Sequence, residues 1–169
     1  MAWHQCTGTE TAAVHADAPA ENLFFGQYRY WMAGYSARDR FCWDLAWDAL
    51  LRFVAPDSAK LIYSEFYLFT RALCEQANRA IGRRPDVCRC LCRDEYLVLA
   101  LVEASQRKDF VRERSAATEL LGTEKVHVLL MASRSLAQTL KVRKFVLAPV
   151  ERQPAMTTMP QIRQVHTLH

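Results

Sequence analysis

Apolar and polar residues alternate along this chain with the period of a helix. The clearest stretch is 58–81, where Ile62, Phe66, Phe69, Leu73, Ala77 and Ala80 recur every three or four residues behind Asp57 as a cap. An earlier stretch, 22–33, is apolar almost all round: Leu23, Phe24, Phe25, Tyr28, Tyr30, Trp31 and Met32 leave almost no polar face. Such a helix is either buried on every side or turned towards a partner. Between them, 37–54 carries Trp43, Trp47, Leu50 and Val54 on one face and Arg40, Asp44, Asp48 and Arg52 on another. Ser36 and Asp39 provide a start close to a capping box, and Pro56 a stop.

The second half repeats the pattern with smaller side chains. A fourth helix is expected from about Asp94, striped by Leu97, Leu101 and Ala104 and braced by a Glu103–Arg107 pair. The fifth spans 110–121, and the sixth spans 124–140 behind Thr123. Gly34, Gly82 and Gly122 each follow a periodic run, where a left-handed cap is expected. Residues 144–150 read as a short strand or an extended arm. The expectation is therefore an all-α, single-domain bundle of six helices over 21–150, with mobile tails at 1–20 and 151–169. Fourteen of the 18 aromatic residues fall between Phe24 and Phe69, so the first three helices are expected to supply most of the core.

Length and composition agree with one domain. The chain has 169 residues, 51% of them hydrophobic and 24% charged, which suits a chain with its own core. No apolar run reaches a membrane-spanning length and no secretory leader is seen, so a cytoplasmic protein without a membrane partner is expected. The net charge of +4 is a small surplus, well short of a dedicated nucleic-acid domain.

Six cysteines bring in the first candidate chemistry, because Cys88, Cys90 and Cys92 crowd into one pentapeptide. In an extended segment alternate residues point the same way, so the three sulfurs converge. Thiolates are soft ligands for zinc, copper(I) or an iron–sulfur cluster, with Cys74 or Cys42 as a fourth ligand, and neighbouring Arg84, Arg89 and Arg93 favour the thiolate. The spacing is not that of zinc fingers or ribbons, and cysteines at a helix entry also serve as small buried hydrophobes.

Other constellations are weaker. Asp44 and Asp48 lie one turn apart, but each has an arginine four residues away, the pattern of a solvated helix face. Glu124 and His127 make half of a helical di-iron motif with no second copy, and His127 beside Val126 reads as partly buried. Helices 110–121 and 124–140, joined at Gly122, resemble a helix-turn-helix in spacing, yet the second opens with few groups that read base edges. Phosphate loops, nucleophile elbows and dinucleotide fingerprints are absent. By elimination the chain reads as a regulatory or adaptor protein acting by contact, without a cofactor. Phe24, Phe25, Tyr28 and Trp31 form the candidate interface, with the same protein or another as partner. The alternatives are a thiol-based metal or redox site and a nucleic-acid-binding regulator.

Overall fold

The computed structural model describes residues 18–85 and 91–150, and every regular element in them is a helix. In chain order these are α1 (Pro19–Ala37), α2 (Phe41–Leu50), α3 (Pro56–Gln76), α4 (Arg93–Arg107), α5 (Phe110–Leu121) and α6 (His127–Val142). None is long and apolar enough to cross a membrane. Helices α1, α2 and α3 pack together, α4 packs with α5, and α6 lies between α3 and α4. The end of α3 and the start of α6 line one cleft through Gln76, Asn78, Thr123 and His127, so these two helices run antiparallel.

Six helices were expected and six are present among the described residues, but their ends differ for identifiable reasons. Helix α1 begins inside the presumed tail, with Pro19 at its first turn, where proline's missing N–H costs nothing. It continues past Gly34 to Ala37. Gly34 is a contact glycine, not a cap. A Cβ there would stand 2.1 Å from the Trp43 indole nitrogen. Ser36 donates back to Met32 O within α1, and Asp39 accepts the Phe41 N–H at the start of the shorter α2. Helix α3 ends at Gln76, before Ala77, Ala80 and Gly82. Only Gly122 is the left-handed glycine cap expected, at φ 66°.

Among the described residues the other left-handed positions at helix ends are Arg38, Lys108 and Lys144, which adopt positive φ at a cost of about 1 kcal/mol each relative to glycine. Lys108 and Lys144 both close Schellman turns. Asp109 N donates to Ala104 O (2.9 Å) and Phe145 N to Leu140 O (3.0 Å). A cation at a helix C-terminus also suits the partial negative charge there.

The core has two textures. Large rings fill the α1–α3 end, where Phe24 packs on Phe66 (centroids 5.6 Å) and Trp31 on Tyr63 (4.7 Å). Leucine, valine and alanine fill the α4–α6 end. More of the buried apolar residues follow Leu91 than precede it. The expectation that the first three helices supply most of the core therefore fails: counting rings overlooked the many small aliphatic residues.

Residues 144–150 form an extended arm, the second of the two expected alternatives. Leu147 and Val150 are buried, and the arm's backbone bonds to side chains of α1, α4 and α5.

Candidate functional site

The cysteine cluster is only partly described. Cys88 and Cys90 lie outside the described residues. Cys92 is buried as the residue that caps α4, and its backbone N–H donates to Glu95 Oε2 (2.9 Å). Cys74 is half-buried on α3, with its sulfur 3.7 Å from Met32 Sδ. Burial, and then the nearby Glu75 carboxylate, push the Cys74 thiol up to about 11. Among the described residues no three His, Cys, Asp or Glu side chains gather as a metal site. Tyr28 donates from its hydroxyl to Gly82 O (3.1 Å), and burial raises its phenol well above the usual range.

The first turn of α4 is the most organised polar region. Glu95 is fully buried and accepts two bonds from the Arg29 guanidinium (2.7 and 3.2 Å) and one from Arg84 N (3.0 Å). Asp94 accepts from Arg79 and from Gly82 N (2.6 Å). Two adjacent carboxylates thus hold the described part of the α3–α4 connection. This is structural chemistry: each of the two carboxylates is matched by an arginine inside the chain. The same holds elsewhere. Glu113, fully buried on α5, accepts from Arg134 (3.0 Å) and Ser105 (2.7 Å). Glu103 sits against the guanidinium groups of Arg107 and Arg112 as ion pairs, without hydrogen-bond alignment. The sequence reading missed these buried carboxylates, apart from the Glu103–Arg107 pair, because only tertiary packing brings their partners to them.

The other candidates disperse. Asp44 and Asp48 are exposed, and neither pairs with its neighbouring arginine. Glu124 precedes α6 and meets Arg114 at 3.5 Å on the surface. His127 opens α6 and is exposed, not partly buried as expected, because it falls opposite the stripe of Leu129, Ser133, Leu136 and Leu140; α6 also starts three residues later than expected. In the helix-turn-helix comparison, α6 is packed between α3 and α4, and Arg134 is held by Glu113 and stacks over Phe110 (5.0 Å).

The aromatic interface resolves to the buried alternative. Phe24, Phe25, Tyr28 and Trp31 are at most 3% exposed within a single chain, so as folded they present no surface to a partner. Trp43, Trp47, Tyr35 and Tyr63 pack ring on ring beside them.

What sequence reading overlooked is an outer face. Leu61 and Leu68 on α3, and Val128, Met131 and Val142 on α6, are 50–65% exposed. On α3 they fall off the buried stripe of Ile62, Phe66, Phe69 and Leu73. On α6 they fall opposite Leu129, Ser133, Leu136 and Leu140. The signal was available as apolar residues at helical spacing outside the main stripe (61 and 68; 128, 131 and 142). Glu65, on the flank of this face, has one carboxylate oxygen buried without a hydrogen-bond partner. No family model, curated protein or solved structure shows significant similarity to this chain.

Proposed function

We propose that this chain is a regulatory or adaptor protein that acts by contact, and that its working surface is the outer face of α3 and α6. The observation that supports this reading is the row of exposed large apolar side chains, Leu61, Leu68, Val128, Met131 and Val142, on two adjacent antiparallel helices. Contiguous apolar surface of this kind marks interaction sites. Asp94, Glu95, Glu103 and Glu113 each face an arginine within the chain, an arrangement that suits structural roles.

A second copy of the chain is the occupant that the charges favour. On α3 the outward positions Leu61, Ser64, Leu68, Arg71 and Glu75 follow a three–four spacing. A two-fold axis through Leu68 sets Leu68 against its own copy and brings Lys60 opposite the turn carrying Glu75. Opposite charges then flank an apolar centre at both ends.

Sedimentation velocity tests this. The full chain is expected to dimerise in a concentration-dependent way, Leu68→Asp to abolish the dimer, and Val111→Asp, exposed on α5 away from this face, to leave it intact. Lys60→Glu is expected to weaken the dimer and Lys60→Glu with Glu75→Lys to recover it. A dimer indifferent to Leu68→Asp, or a monomer at all concentrations, overturns the self-association. If a different partner binds the monomer and Leu68→Asp abolishes that binding, the face is kept and the occupant changed.

A further inference from the structure

The extended arm is held in a way that separates it from the helix it follows. Gln106, on α4, grips it as a clamp: its Nε2 donates to Phe145 O (2.8 Å) and its Oε1 accepts from Leu147 N (2.9 Å). Glu21, on α1, accepts from Ala148 N (2.6 Å), and Arg112, on α5, donates to Val150 O (2.7 Å). Leu147 and Val150 fill apolar sites beneath these bonds. Pro149 favours an extended Ala148, whose N–H points inward to the buried Glu21. This is recognition of an extended backbone by side chains. Any chain segment of the same shape that reaches the groove makes the same bonds.

The link between α6 and the arm is strained. Lys144 closes the Schellman turn at φ 66°, a conformation that favours glycine. Phe145 N bonds to Leu140 O and Lys144 N to Lys141 O (3.0 Å each) to hold the turn shut. Opening it releases the strain at Lys144 while every groove contact can be remade elsewhere.

We propose that residues 144–150 exchange between two copies of the chain, each arm occupying the groove lined by Glu21, Gln106 and Arg112 of the other. The groove is thus a site for an extended apolar segment, and Arg143–Lys144 is the hinge. Exchange preserves all groove contacts, so the balance between closed and exchanged forms rests on the hinge and on concentration. This inference is independent of the α3–α6 face.

A cysteine trap tests it. A Glu21→Cys chain and an Ala148→Cys chain are mixed, incubated to equilibrium at high concentration and oxidised. The expected result is a covalent heterodimer absent from either variant alone. A chain carrying both substitutions is the control for proximity and closes within itself when dilute. A cross-link confined to that control, as a monomer, overturns the proposal. A Leu68→Asp background removes the α3–α6 association and is expected to leave the intermolecular cross-link, which tells the two failures apart. Should neither preparation cross-link, light scattering in that background decides. Lys144→Gly, which relaxes the closed hinge, is expected to weaken the exchanged dimer by about tenfold, and Lys144→Val to strengthen it. The same affinity for all three chains, or no dimer in any, overturns it.

Discussion

Cys74 shows how a single side chain's surroundings decide its chemistry. Its thiol is pushed up to about 11 from an ordinary value of 9.0, chiefly by burial beside Met32. A thiol so placed is almost wholly protonated at neutral pH, and the thiolate is the reactive form. Iodoacetamide at pH 7.5 is therefore expected to label Cys74 more slowly than a cysteine in the unfolded chain, a difference that peptide mass mapping reads directly. The same shift has a consequence for stability. Between about pH 9 and 11 the unfolded chain gives up this proton and the folded chain keeps it. The unfolded state is favoured progressively over that window, so stability present below pH 9 is lost as pH rises through the folded value. Tyr35, raised to about 12 mainly by burial, extends the loss to higher pH. Melting temperature is expected to fall from pH 9 to 11, and Cys74→Ala to fall less steeply. Equal slopes would show that the thiol stays protonated in neither state or in both.

At the scale of elements, α1 carries two glycines whose replacement has opposite signs. Alanine is the better helix former by about 1 kcal/mol at any exposed interior position. At Gly26 no atom stands within 4 Å of an added Cβ, so Gly26→Ala is expected to raise stability by about 0.5–1 kcal/mol. At Gly34 an added Cβ meets Trp43 Nε1, Cδ1 and Cε2 at 2.1–2.7 Å, and the ring is pinned between Trp31 and Tyr35. The overlap outweighs propensity, and Gly34→Ala is expected to cost about 1–3 kcal/mol in urea denaturation. A neutral result at Gly34 would mean that α2 can slide outward at no cost.

These glycines also show what was legible in the sequence. The number, order and class of the helices followed from apolar spacing alone, because that spacing reports which face each helix buries. The ends did not, since Arg38, Lys108 and Lys144 cap where glycine is expected and Gly34 packs where a cap is expected. Neither choice leaves a mark on hydrophobic periodicity. The interface assigned to Phe24, Phe25, Tyr28 and Trp31 fell to the same limit: an all-round apolar helix does not say whether its own chain or another covers it. The α3–α6 face was legible in Leu61 and Leu68, but becomes a surface only once α6 is known to lie beside α3.

At the scale of the whole molecule, two of the contacts that join the aromatic half to the aliphatic half differ in kind. One is apolar, where α3 packs on α6. The other is ionic, where Arg29 of α1 crosses to Glu95 of α4 with side chains 5% and 0% exposed. A buried pair adds little net stability, because desolvation of both charges offsets their attraction. Removing one partner is another matter, since it strands the other charge and costs about 3–5 kcal/mol. Glu95 would keep the backbone N–H groups of Cys92 and Arg84, which soften the loss without neutralising the charge. Arg29→Leu is thus expected to be strongly destabilising, while Arg29→Leu with Glu95→Leu recovers part of the loss. Probes can also separate the halves. Among the described residues every tryptophan (Trp31, Trp43 and Trp47) lies in α1 or α2, so fluorescence follows the aromatic half and far-UV circular dichroism follows all the helices. The two transitions are expected to coincide in the unaltered chain, the sign of one cooperative unit. In Arg29→Leu the fluorescence transition is expected to come first, because moving the aromatic half away lets water reach the unpaired Glu95 carboxylate. Coincident transitions in that variant would mean that the contacts left, the apolar α3–α6 packing chief among them, bind the halves into one cooperative unit.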